Sequence, residues 1–285
     1  MAQEVELVVA GKGISAARGA KAAGGEVVAM GFVGSEELSL YARDLGEEGL
    51  ATALIPFPGP TRTHTTLLDP NSHSVTHIRE RGPTISPAIL EGLIAILNDQ
   101  LKKGDVLVLC GSLPAGLPDD SFAQLVRLGK SNGCLTLLDT SRQPLRLGLE
   151  EKPYMIKPNT AELEEICGVE LGREEDLIKA ATDLNRNGIE LVVVSRGEEG
   201  VIVTYKGGVW SGAVELDRIV NTVGCGDALV GGMATALAEG SPIEEIIKKG
   251  VACAAANAIT VASGYCRRED IEIFYSKVQL KKLIE

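Results

Sequence analysis

Residues 221 to 233 of this chain read Asn-Thr-Val-Gly-Cys-Gly-Asp-Ala-Leu-Val-Gly-Gly-Met, placing two glycines and an acid directly where an apolar helical pattern begins. Leu229, Met233 and Leu237, with Ala236 beside them, recur at spacings of four and three, the period of one helix face. Gly224, Cys225 and Gly226 are therefore expected to aim free backbone N–H groups at whatever lies before the helix. A helix start carries roughly half a positive charge and unpaired donors, and glycine lets an anion come close to the backbone. Asp227 would stand beside that anion. A carboxylate repels a phosphate but suits taking the proton from a nucleophile that attacks one. The chemistry this points to is phosphoryl transfer. An ordinary Gly-rich turn capped by Asp accounts for the same residues without chemistry, and this segment alone leaves both readings open.

Other loops carry residues of matching chemistry. Gly11-Lys12-Gly13 precedes a small-residue helix at 14 to 23; it is not a G-x-x-x-x-G-K-[ST] loop, yet a Lys between glycines at a helix start can hold an anion by charge and backbone together. Thr61-Arg62-Thr63 can present a guanidinium to a phosphate. The loop Gly111-Ser112-Leu113-Pro114-Ala115-Gly116 follows a strand, where ligands gather in α/β sheets. Asn159 and Glu162, three apart after Lys157-Pro158, can hold a hydrated Mg²⁺ from one side of a starting helix, or simply cap that helix. Ser195-Arg196-Gly197 and Gly200 either close over a nucleotide or turn between two strands. Each loop has a purely structural reading. Five Gly- or Pro-marked polar loops together are poorly explained by separate accidents.

The elements that must position them alternate. Strands are expected at 26 to 32, 50 to 57, 105 to 110, 134 to 139, 154 to 157 and 191 to 196, and helices at 36 to 48, 86 to 103, 119 to 132, 174 to 187 and 243 to 263. Such alternation implies an α/β fold, a mostly parallel sheet covered by helices, with its ligand crevice at the carboxyl ends of the strands. Residues 61 to 80 break the rhythm with a hairpin around Asp69-Pro70-Asn71-Ser72, read as a lid. No repeat or linker divides residues 1 to 285, so one domain is expected. A net charge of −11 argues against nucleic acid and anionic membrane as partners, so a phosphorylated ligand must be held by a few local cations such as Lys12 and Arg62. Six cysteines without a C-x-x-C pair, and the lack of a signal-like segment, point to reduced thiols in a cytoplasmic protein.

Over nearly its whole length the chain resembles the ribokinase-like sugar kinases, the phosphofructokinase B family. Asn-Thr-Val-Gly-Cys-Gly-Asp at 221 to 227 looks like that family's second signature and Gly11-Lys12-Gly13-Ile14-Ser15-Ala16-Ala17-Arg18 like its first. Lys157-Pro158-Asn159 with Glu162 looks like its magnesium-linked motif, and Cys110-Gly111-Ser112-Leu113-Pro114 like its sugar-side loop. The resemblance implies a ribokinase-like fold with a small β lid, using ATP and Mg²⁺ to phosphorylate a ketose phosphate. Fructose 1-phosphate is the first expectation, tagatose 6-phosphate its rival, and a catalytically weak sugar- or nucleotide-binding protein the rival of another class. Asp227 would be the base; the amides of Gly224, Cys225 and Gly226 the anion hole; and Lys12, Gly11 and Arg62, with Ser112 nearby, the hold on the substrate phosphate. Asn159 and Glu162 would order Mg²⁺ through water, and Ser195, Gly197, Gly200 and Asn257 would lie along the nucleotide.

Two departures from the family pattern carry further expectations. The family has a first core strand with an Asn-Pro-x-x-Asp segment, and a first lid strand, before Gly-Lys-Gly; in this sequence ten residues precede it, of which 4 to 9 can supply one lid strand. Ser15 stands where the family usually has Asn, and Ala10 where it usually has Gly. A short lid leaves an open β edge, and open edges pair with other chains. A homodimer through the lid is the expected assembly.

Overall fold

The computed structural model describes residues 7–69, 74–262 and 264–284. Helix α1 (Lys12–Ala22) leads to strand β1 (Val28–Gly34), α2 (Leu38–Glu47) and β2 (Ala51–Phe57), and β1 and β2 form a parallel pair of their own. A hairpin, β3 (His64–Asp69) and β4 (Ser74–Arg79), follows as the lid. The chain then builds α3 (Pro87–Gln100), β5 (Val106–Cys110), α4 (Ser121–Ser131), β6 (Leu135–Asp139), α5 (Arg142–Glu150), β7 (Met155–Ile156), α6 (Thr160–Cys167), α7 (Glu174–Arg186) and β8 (Leu191–Ser195). It closes with β9 (Val201–Tyr205), β10 (Gly208–Ala213), α8 (Cys225–Ala238), α9 (Ile243–Ala258), α10 (Arg268–Lys277) and β11 (Gln279–Ile284).

Strands β5 to β11 make a seven-stranded sheet in the order β11-β10-β9-β8-β7-β6-β5. Strands β5 to β8 are parallel, and β8 to β11 are joined antiparallel. The run Leu191, Val192, Val193, Val194 is wholly buried, the mark of an interior strand covered on both faces. The expected α/β class is met. The antiparallel extension was not anticipated, because strand–helix alternation stops after β8, and neither were α5 and α10.

Glycine decides how the helices carrying the site pack. At Gly19 of α1 a Cβ would lie 2.9 Å from Ala228 Cα, and at Gly231 of α8 one would lie 2.6 Å from Ala20 N. Only bare backbone lets α1 and α8 approach so closely. That contact brings the starts of both helices, Lys12 and Asp227, to the same end of the sheet as the carboxyl ends of β5, β6 and β7.

Two expectations are corrected here. Helix α9 ends at Ala258 rather than near 263, because Asn257 Oδ1 accepts the amide of Gly264 at 2.7 Å and draws the following loop back. Of the expected lid strand at 4 to 9, residues 4 to 6 lie outside the described residues, and Leu7, Val8 and Val9 pair with no strand among the described residues. Val9 instead packs with Ala17, Ala29, Leu45 and Leu50. Between the β1–β2 pair and the unpaired edge of β5 lies a cavity of about 3000 Å³, walled by Met30 and Phe32 on one side and Leu107 and Leu109 on the other. Its mouth is at the lid. No helix among the described residues is long and apolar enough to cross a membrane.

Candidate active site

Asp227 stands in the first turn of α8, 8% exposed, with Oδ1 3.7 Å from Lys12 Nζ. Burial is the main force on it and pushes its pKa up to about 6; Lys12 and Lys157 pull it down and Asp139 adds to the rise. Such a carboxyl is ionised at neutral pH yet basic enough to take a proton, the tuning a general base needs. Gly224 caps the helix in a left-handed conformation at φ 88°, which glycine adopts without strain. Among the described residues the amides of Gly224 and Gly226 meet no acceptor, while that of Cys225 donates to Thr222 O at 3.3 Å. Two of the three expected anion-binding amides are thus open, and the third is loosely engaged.

A residue that sequence reasoning missed organises the charges. Asp139 ends β6 only 2% exposed, with Oδ2 3.2 Å from Lys12 Nζ and Oδ1 3.4 Å from Lys157 Nζ. Lys157 is 6% exposed, and its Nζ lies 3.4 Å from where a Cβ on Gly226 would stand, so its ammonium sits beside the start of α8. The result is a row of alternating charge, Lys157, Asp139, Lys12 and Asp227. Burial works to lower the pKa of Lys12, but Asp139 and Asp227 outweigh it and hold the ammonium above its ordinary value. The signal was present: an acid closing an apolar run, Leu135 to Leu138, at the strand end where α/β sheets bind ligands.

Arg62 is placed by bonds on both sides of it. Thr61 donates its amide to Glu37 Oε2 at 2.7 Å and accepts the amide of Gly34 at 2.7 Å, and Thr63 donates to Glu80 Oε2 at 2.8 Å. Gly82 lies under the guanidinium. Ser112 is exposed on the loop after β5, where Gly111 turns at φ 103° and gives its carbonyl to Thr140 Oγ1 at 2.7 Å. Gly11, Lys12, Arg62, Ser112, Lys157, Glu162, Gly224, Gly226 and Asp227 all line the one large cavity. The structure therefore brings the expected acceptor-side and anion-hole residues together.

Asn159 and Glu162 form a capping box at the start of α6: Asn159 Oδ1 accepts the amide of Glu162 at 2.8 Å, and Glu162 Oε2 accepts that of Asn159 at 2.9 Å. The structural reading of this pair holds, and Glu162 also lines the cavity. Among the described residues no group of three acidic, His or Cys side chains could hold a metal directly. A single Glu162 carboxylate at the cavity wall fits a Mg²⁺ that keeps its waters and takes further oxygens from phosphates.

A second cleft of about 600 Å³ adjoins the first turn of α6, lined by Asn159, Ser195 and Gly197 with Leu171 and Leu177. Arg196 at its rim is paired with Glu174 at 2.8 Å and Glu199 at 3.1 Å. Gly200 and Asn257 are not in either wall. Gly200 turns the chain at φ 77°, and a Cβ there would press on the backbone of Ala213 at 2.9 Å. Asn257 is wholly buried; its Nδ2 donates to Val223 O at 3.0 Å and Cys225 Sγ at 3.2 Å. The space at Gly200 and the hydrogen bonds of Asn257 are already taken up within the protein.

An acid tuned near neutrality beside open helix-start amides, at the strand ends of an α/β sheet with a β lid, is the arrangement of a sugar kinase. The chain belongs to the pfkB family of carbohydrate kinases, whose pattern it matches over residues 1–269. It is 36% identical to a 1-phosphofructokinase of Rhodobacter capsulatus over 236 residues, covering 82% of this chain and 75% of that one. It is 32% identical to a tagatose-6-phosphate kinase of Staphylococcus epidermidis over 273 residues, covering 95% and 87%. Among solved structures it is similar to the phosphofructokinase-2 of Escherichia coli with substrates and products, at TM-score 0.88 and 26% identity, covering 97% and 92%. The same enzyme has been solved as a tetrameric inhibited form, at TM-score 0.87, 26% identity and the same coverage.

Proposed function

We propose that this carbohydrate kinase moves the γ-phosphoryl group of ATP to a hydroxyl of a ketose phosphate, fructose 1-phosphate first, giving fructose 1,6-bisphosphate. The observation that carries this reading is the company Asp227 keeps: two cations, Lys12 and Arg62, share its cavity. One charged pair suits a phosphate that the acceptor already bears. Tagatose 6-phosphate remains the second reading, supported by the 32% identity to a kinase named for it.

In this mechanism Asp227 accepts the proton of the acceptor hydroxyl as its oxygen bonds to the γ-phosphorus and the bond to the ADP oxygen breaks. Gly224 and Gly226 amides, with the Lys157 ammonium beside them, receive the charge on the transferring group. Lys12, Arg62 and Ser112 hold the acceptor so that one hydroxyl meets Asp227. Glu162, with Asn159, would hold a hydrated Mg²⁺, which neutralises phosphate charge when bound. Ser195 and Gly197 border the nucleotide.

A coupled ADP-release assay across fructose 1-phosphate, fructose 6-phosphate, tagatose 6-phosphate and unphosphorylated sugars tests this. Arg62→Ala is expected to raise the KM for the phosphorylated acceptor by roughly tenfold or more, the worth of a charge-assisted bond, and to leave the KM for ATP in place. Turnover of free sugars alone would overturn the roles of Lys12 and Arg62.

We also propose a homodimer in which lids cover each other. The hairpin's cross-strand register puts Leu67 and Ile78 on one face, where they are 52% and 55% exposed, and a two-stranded hairpin is marginal by itself. Light scattering at micromolar concentration should show a dimer, and deleting residues 64 to 78 should give monomers and a higher ratio of ATP hydrolysis to sugar phosphorylation. A monomeric intact chain would refute this assembly.

A further inference from the structure

We infer that Arg18, Glu48 and Tyr265 form a positioning clamp that fixes the anion-binding turn at 222 to 226 from behind. Arg18, one and a half turns beyond Lys12 on α1, is 5% exposed. Its guanidinium grips Glu48 with two parallel bonds, Nε to Oε2 at 2.6 Å and Nη2 to Oε1 at 2.6 Å. Its face lies 4.1 Å over the centre of the Tyr265 ring, and Tyr265 Oη donates to Glu48 Oε1 at 2.6 Å. Three separate elements meet there: the middle of α1, the end of α2 and the loop after α9.

That loop leads to the site in a few bonds. The Tyr265 carbonyl accepts Thr260 Oγ1 at 3.0 Å, and the neighbouring Gly264 amide donates to Asn257 Oδ1 at 2.7 Å. Asn257 in turn holds Val223 O and Cys225 Sγ, and Asn221 Nδ2 holds Val261 O at 2.9 Å. The amides of Val220 and Asn221 both donate to Ala258 O, at 2.8 and 3.1 Å. The 258–265 loop and the 220–225 segment are thus laced together on both sides of Gly224. Gly264, at φ 80°, rests on Ser15, where a Cβ would stand 2.6 Å from that of Ser15. Ser15, the departure from the family's usual residue, is the small seat this approach requires.

A buried ion pair is a poor way to gain stability, since desolvation consumes most of its attraction, but a fork-to-carboxylate pair fixes position and angle. A planar guanidinium bonded at its edge and covered by a ring on its face has few other places to go. By this geometry the clamp sets the height of the 258–265 loop and, through Asn257, the direction in which the Gly224 and Gly226 amides point.

Tyr265→Phe tests this, keeping the ring and removing the bond to Glu48. Amide hydrogen exchange at 222 to 226 and at 258 to 262 is expected to quicken while that of β6 and β8 stays as it was. On the phosphoryl-transfer reading above, kcat should fall by about 3- to 30-fold, the range for coupling carried through bonded neighbours, with both KM values unchanged. Arg18→Lys keeps the charge without the fork and should resemble Tyr265→Phe rather than the parent. Unchanged exchange at 222 to 226, or a fall in melting temperature with kcat intact, would overturn the clamp. Should the parent chain phosphorylate none of the acceptors, the functional reading fails, and the exchange measurement still decides the clamp.

Discussion

Asp227→Asn is expected to lower kcat by about two to four decades, the worth of a positioned proton acceptor, while the protein stays folded and melts at a higher temperature. The substitution keeps the shape and removes the proton acceptor. The stability gain follows from the direction of the pKa shift. In the folded chain the carboxyl's pKa is pushed up to about 6, above the ordinary carboxylate range, chiefly because burial disfavours the charge. A carboxylate raised in this way costs stability above the folded pKa, and the cost fades as pH falls through about 6. That pKa already includes the attraction of Lys12, so at pH 7 removing the charge is expected to give a net gain on the order of 1–3 kcal/mol. The parent should show kcat/KM rising with unit slope toward pH 6 and flat above it, and the residual activity of the variant should lack that limb. Near-normal turnover, or the same acid limb in both proteins, would remove Asp227 from the chemistry.

What the sequence made legible and what it hid differ by the range of the interactions. The start of α8 could be read because its glycines, its acid and its apolar period are local, and the same holds for the capping box at Asn159 and Glu162. Residues on five separate loops could be placed in one crevice because parallel strands deliver their carboxyl ends to one edge. Asp139 was missed because its meaning depends on Lys12 and Lys157, which are distant in the chain and close only in the fold. The inward bonds of Asn257 onto Val223 and Cys225 were not legible, because an Asn near the end of a helix says nothing about which way it faces. Strands β9 and β10 escaped because an antiparallel hairpin carries no alternation with helices, and β11 because it returns to their edge only after three helices.

The same row of charges makes Asp139→Asn the most damaging single change expected outside the reacting atoms. Asp139 is the one acid standing between Lys12 and Lys157, and Lys157 has almost no water to turn to. Removing one partner of a buried pair leaves the other charge uncompensated, at a cost of about 3–5 kcal/mol. For a chain of this size that is a fall in melting temperature of roughly 10 °C. The second consequence runs through Asp227, whose pKa Asp139 raises and the two lysines lower. Without Asp139 the repulsion is gone and both ammonium groups are left to Asp227 alone, so its pKa drops on the order of one unit or more. The acid limb of kcat/KM should therefore move to lower pH in a protein that is less stable. Above that limb the rate should still fall, since a base brought below its tuned value takes protons less readily and Lys12 has lost the carboxylate that aims it. An acid limb left where it was, with the melting temperature unchanged, would show that the four charges do not act as one row. A shift of the limb in this direction would tie the buried Asp139, which sequence reasoning missed, to the basicity of the residue that the sequence announces most plainly.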